Sequence, residues 1–305
     1  MTGAALLFAI SLASDPASAA DPRALDAALL KLAAYLEDHG RYREAEPLYL
    51  RSRAINETLY GPSSIEAARS LLRLGAIYHA EFQNEAAEAA ARHALELFQT
   101  LTGPSSEEVA CASANLAVIL ADEGQPARAE PTLRRALFLL RQHSSDRGYV
   151  AIVEENLAMV YLRQGELIQA RPLLEDVLRR DPSHATAWAA LAELSIAERH
   201  WPEAAEYIEK AYRLVEERFG KDHPWMIGIL HLRSAIEAHS DDWRQAALDM
   251  KNSIELLEST GGPNSTRLAI FLDDEALILR HLGRHAGAKA ARKRAREIRS
   301  STVTR

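Results

Sequence analysis

Cysteine is almost missing from this chain: Cys111 stands alone in 305 residues, so no intramolecular disulfide can form. No CxxC pair or Cys/His cluster occurs, which removes structural zinc and leaves no cofactor to expect. Aromatic residues make up only 6%. Period-two runs of Val, Ile and Thr are absent, which removes strands, while alanine, the best helix former, recurs throughout. The apolar run Ala4–Leu12 is much shorter than the roughly 20 residues that span a bilayer. Phosphate-binding glycine loops, a GxSxG elbow and a Cys/His dyad are also lacking. What remains is 48% hydrophobic and 26% charged residues, the balance of a folded all-α chain.

Charge is unevenly placed. From Ala276 onward nine Lys or Arg face one acid, Glu297, so an overall −7 conceals −15 over residues 1–275. The run Ala4–Leu12, followed by Ala17-Ser18-Ala19-Ala20, reads as a signal peptide over residues 1–20, cleaved after Ala19 or Ala20. A periplasmic or secreted protein is then expected, and a cytoplasmic one if that segment is not a signal. Residues 21–299 form the folded domain, and 300–305 a tail.

Inside that domain a small residue is followed seven positions later by another small or aliphatic one. The pairs are Ala45/Ser52, Ala87/Ala94, Ala129/Ala136, Ala170/Val177, Ala204/Ala211, Ala246/Ser253 and Ala288/Ala295. Successive first members lie 42, 42, 41, 34, 42 and 42 residues apart, a series chance does not produce. Twelve residues before each stands a further small residue: Ala33, Gly75, Ala117, Ala158, Ala192, Ser234 and Ala276. Bulky residues flank these at helical offsets, as Leu32/Leu36, Leu74/Tyr78 and Leu157/Tyr161 do. Such a face receives a neighbouring helix.

Gly40, Gly124, Gly165 and Gly283 mark a turn between two helices, and Pro126 and Pro202 suit the first turn of the second. Gly61-Pro62-Ser63-Ser64, Gly103-Pro104-Ser105-Ser106 and Gly262-Pro263-Asn264-Ser265 end one pair and cap the next. Each unit is therefore a helical hairpin, about seven in all. The 34-residue spacing shortens the helices beside Asp181-Pro182, where a bend is expected. In the sixth unit Arg233 and Glu237 replace apolar residues, so looser packing is expected there. In the seventh, Arg292 and Arg296 occupy the face a further repeat would cover, which marks a cap.

Leu71-x2-Leu74-Gly75-x2-Tyr78 with Ala87 and Ala94, and Leu157-Ala158-x2-Tyr161 with Ala170, Leu174, Val177 and Pro182, resemble the tetratricopeptide repeat. The 42-residue period and the matching Asn115-Leu116-Ala117 and Asn156-Leu157-Ala158 are similar to its kinesin-light-chain type. The resemblance implies an all-α, right-handed superhelical solenoid whose first helices line a concave side. It also implies a non-catalytic scaffold for a protein or peptide; the basic residues Lys31, Arg69 and Arg73 point to a peptide or helix of acidic character. Carried across position by position, it implies partner-binding roles for Lys31, Arg69, Arg73, His79, Asn115, Glu155, Asn156, Met159 and Arg163. Leu72, Ala76, Cys111, Val118, Glu193, His231, Asp273 and Asp274 fall on the same face. Ala34, Ala76 and Val118 stand where the family's carboxylate clamp needs asparagine, so recognition of chaperone C-termini is not expected.

Two other functions compete. His281-x3-His285 has the spacing of a zinc pair, but Leu282 replaces the general-base glutamate, and a solvated pair on a basic helix is the expectation. Lys289, Arg292, Lys293, Arg294, Arg296 and Arg299 could meet nucleic acid or an anionic surface in a regulatory role. The acidic remainder and the lack of stacking aromatics argue against nucleic acid.

Overall fold

A computed structural model describes residues 21–260 and 265–303. The expected signal peptide and the end of the tail lie outside these residues. Those described form fourteen α-helices and no strand. In chain order these are α1 (Pro22–Asp38), α2 (Tyr42–Tyr60), α3 (Ile65–Ala80), α4 (Asn84–Thr102), α5 (Glu107–Asp122), α6 (Pro126–His143) and α7 (Arg147–Gln164). Then follow α8 (Leu167–Arg180), α9 (Ala185–Ala197), α10 (Trp201–Phe219), α11 (Met226–His239), α12 (Trp243–Ser259), α13 (Thr266–His281) and α14 (His285–Val303). None of them is long and apolar enough to cross a membrane.

The chain divides into two compact units, one ending at Gln164 and the other beginning at Gly165. In the first, α1 pairs with α2, α3 with α4 and α5 with α6, and each pair packs on the next. In the second, α9 pairs with α10, α11 with α12 and α13 with α14, while α8 packs on α9. Asp181-Pro182 lies inside this unit, between α8 and α9, which run only 14 and 13 residues.

Every small residue of the repeating pattern is buried, from Ala33, Ala45 and Ser52 to Ala276, Ala288 and Ala295. Their short side chains let helix axes approach closely. At Gly75 a Cβ would lie 3.5 Å from backbone atoms of Ala87 and Ala91, in ordinary contact with α4. Larger side chains fill the space between, such as Leu74, Ile77 and Tyr49 in one cluster and Ile208, Val215, Met226 and Ile229 in another.

Each hairpin turn contains one left-handed residue: Gly40, Phe82, Gly124, Gly165, Arg199, Asp241 and Gly283. All seven stand five residues before a landmark alanine. The N–H of the next residue reaches back five positions, as Arg41 to Leu36 at 2.8 Å, Gln83 to Tyr78 at 2.8 Å and Asp242 to Glu237 at 3.0 Å. This is the Schellman closure, which satisfies carbonyls left over at a helix end. Between hairpins, Ser64, Ser106 and Ser265 accept hydrogen bonds from Ala67, Val109 and Leu268 and so cap α3, α5 and α13.

Two expectations need correction. Arg233 does not loosen the sixth hairpin. It forms an ion pair with buried Asp249 and lies 4.0 Å over the Tyr212 ring, so one α12 carboxylate supplies what an apolar contact would have. His281 and His285 do not share a helix, because Gly283 ends α13 between them. His281 stacks on Trp243 at 3.8 Å, as His239 stacks on Trp201 at 3.8 Å.

Candidate functional site

Within each unit the first helices of successive hairpins approach one another directly: α3 meets α5, α5 meets α7, and α9 meets α11. Their outward face is where the pattern placed the binding residues. In the first unit Lys31, Arg69, Arg73 and Arg163 are exposed. His79, Asn115, Glu155, Asn156 and Met159 are half-buried, as are Leu72, Ala76, Cys111 and Val118.

Several of these side chains are already joined across helices. Arg69 Nη2 on α3 lies 3.3 Å from Glu108 Oε1 on α5. His79 on α3 sits 2.8 Å from Asp122 Oδ2 on α5, and Arg163 on α7 holds the other oxygen of the same carboxylate. Burial would raise the Asp122 pKa, but the His79 hydrogen bond and the Arg163 charge outweigh it and bring it down to about 2. The Tyr149 hydroxyl on α7 donates toward Asn115 Oδ1 at 3.0 Å, with the Cys111 carbonyl at 3.2 Å. The His79–Asp122–Arg163 and Tyr149–Asn115 rungs tie α3, α5 and α7 to one another. By contrast, Lys31 and Arg73 meet no carboxylate among the described residues, and the Asn156 amide holds no hydrogen bond there.

Sequence reasoning missed three members of this face. Tyr149 is the clamp on Asn115, and Ile152, 46% exposed, stands one turn before Asn156. Glu108 was missed because its role depends on Arg69, 39 positions away. In the second unit Ile270 and Leu277, 48% and 49% exposed, share the face of Asp274 on α13. Asp274 lies 2.9 Å from His231, whose ring stacks on Phe271, and Asp273 lies 2.6 Å from Arg299. A six-residue backward step from each small residue, applied to Ala158 and Ala276, would have found Ile152 and Ile270.

Burial, joined by the nearby Glu107 charge, pushes the Cys111 thiol up to about 12, so it stays protonated and weakly nucleophilic. Among the described residues, Glu198, His200 and Glu203 bring potential metal donors within 4.8 Å of one another. Arg171 lies on the same carboxylates, 2.5 Å from Glu198 and 3.5 Å from Glu203, and supplies their positive charge.

Two family models described as tetratricopeptide repeat match this chain, one over residues 25–100 and 108–183 and one over residues 161–211. The chain belongs to the tetratricopeptide repeat family. Three solved structures resemble this tetratricopeptide repeat chain closely enough to confirm the helical arrangement. The Rap conjugation gene regulator of plasmid pLS20, in complex with the Phr* peptide, aligns with TM-score 0.68 at 17% identity, covering 88% of this chain and 72% of that one. A Rap protein complexed with Competence and Sporulation Factor aligns with TM-score 0.68 at 16% identity, covering 92% and 81%. BtubC (BKLC) from P. vanneervenii aligns with TM-score 0.53 at 19% identity, covering 72% and 92%. No curated protein matches the sequence.

Proposed function

We propose that this tetratricopeptide repeat chain is a non-catalytic scaffold that binds a protein or peptide along the first helices of its first unit. One observation carries the reading: cross-helix rungs fix the face of α3, α5 and α7, while Arg73, Asn156 and Ile152 on it stay available. A preformed surface loses little entropy on binding. An amide with free donor and acceptor suits a peptide backbone, and Ile152 and Met159 suit an apolar side chain. Lys31 and Arg73 favour acidic character in the partner. The exposed Arg69–Glu108 pair contributes little by itself and can be exchanged for a ligand carboxylate. Two of the similar structures hold the Phr* peptide and Competence and Sporulation Factor, which supports the same use here.

The test begins with affinity capture of a partner from cell extract and its identification by mass spectrometry. The captured partner is then titrated against the parent chain and a Lys31→Glu, Arg73→Glu variant. A loss of about tenfold or more is expected, since each position trades an attractive charge for a repulsive one. Unchanged affinity would sink this face as the site. Export belongs to the same proposal, and N-terminal sequencing of native protein is its test: a chain beginning near Ala20 is expected, and retention of Met1 overturns it.

A further inference from the structure

The cations of α14 fall into two sets. Lys293 pairs with Glu297 at 3.6 Å, Arg294 with Glu258, and Arg299 with Asp273 at 2.6 Å. The others, Lys289, Arg292 and Arg296, join Arg280 from the last turn of α13 and His285 around one cleft of about 290 Å³. Ala288, 3% exposed, forms its floor. None of the four permanent cations in this cleft meets a carboxylate among the described residues. The first turn of α14 contains no acid either. Arg296 Nε donates to the Arg292 carbonyl at 3.3 Å, which holds that guanidinium along the helix.

Sorting of this kind has a physical consequence. Four like charges around a single small cleft repel one another, and that repulsion disappears when a multiply charged anion enters. Guanidinium forks match phosphate oxygens in pairs, and a methyl floor allows close approach without competing for hydrogen bonds. Apolar side chains beyond Ala288 do not line the cleft, so a docked protein helix would have little surface to bury there. The cleft favours a compact, highly charged ligand.

We propose that Arg280, Lys289, Arg292 and Arg296 form a binding site for a multiply charged phosphate anion, free or carried on a lipid headgroup. The site lies wholly within the second unit and is independent of the scaffold face of the first.

Calorimetric titration of the full chain with tripolyphosphate at low salt tests it. Saturable one-to-one binding is expected, weakened about tenfold or more in an Arg292→Gln, Arg296→Gln variant. A Lys293→Gln variant, which touches only a paired cation on the same helix, should stay within about twofold. Both substitutions are at exposed positions, and unchanged circular dichroism would verify folding. Flotation with vesicles containing a phosphoinositide separates the sources: flotation lost in the double variant places the phosphate on a lipid, and its absence beside tripolyphosphate binding makes the ligand a free anion. No saturable binding in either arm, or equal weakening by both variants, overturns the proposal. So does retention of an oligonucleotide duplex without any tripolyphosphate binding, which would mean a diffuse polyelectrolyte surface.

Discussion

Glu237 is a half-buried carboxyl group whose environment ties stability to pH. It lies on α11 beside Arg233 and the buried carboxylate of Asp249, and its Oε2 has no hydrogen-bond partner. Burial and the Asp249 charge push it up to about 8, against the pull of Arg233. The unfolded chain releases this proton near 4.5, so between the two values the folded state binds more protons. Stability is therefore undiminished below the lower value and falls as pH rises through the window to about 8. Glu237→Gln should leave urea stability near pH 4.5 almost unchanged and raise it by about 1–2 kcal/mol at pH 8.5. An equal gain at both pH values would falsify the titration argument. Cys111 permits a simpler check: its thiol should react with a thiol reagent at pH 8 many times more slowly in the folded protein than in denaturant.

At the scale of the element, the hairpin turn is the repeating device, and it demands a left-handed residue whatever the sequence offers. Four turns use glycine, while Phe82, Arg199 and Asp241 adopt φ near +61 to +63° with a Cβ that resists it. Arg199 and Asp241 are exposed, so replacing them by glycine loses little packing. Arg199→Gly and Asp241→Gly should each raise stability by about 0.5–1 kcal/mol, read as a shift in melting temperature. Gly75 presents the opposite case, since it lies inside α3 with room for a methyl at ordinary contact distance. Gly75→Ala should stabilise by about 0.5–1 kcal/mol through helix propensity. A destabilised alanine variant would show that α3 and α4 are closer than their backbone positions imply.

At the scale of the whole molecule, stability is local. Each hairpin buries its apolar side mainly on its neighbours, so damage at one place spreads only as far as the packing around it. Ala211, fully buried on α10, packs in one cluster with Ile208, Val215, Met226 and Ile229. Ala211→Leu should cost about 1–3 kcal/mol by overpacking. Hydrogen exchange should accelerate in α9–α12 while α1–α6 keep their protection. Uniform acceleration along the chain would mean that the two units unfold as one. The scaffold reading belongs to this scale too, because it needs several helices held in fixed register.

The helical class, the hairpin period and the buried positions were legible without coordinates. A residue twelve before each landmark must be small, and one seven after it small or compactly aliphatic, if helices are to nest, and that steric demand is written into residue type. The serine caps were legible for the same reason, since a side-chain oxygen at a helix start has a local partner. The left-handed turns at Phe82, Arg199 and Asp241 were not, because the closure is imposed by helix packing and these residues merely tolerate it. Nor were the rungs from Arg69 to Glu108 and from His79 through Asp122 to Arg163, whose members lie 39 to 43 residues apart. Which cations of α14 were paired also depended on carboxylates of α12 and α13. Local sterics act between residues near in sequence, so the chain alone determined the repeat. Charge pairing acts through space, so only the tertiary structure decided which polar groups are committed to the fold and which are left to bind something else.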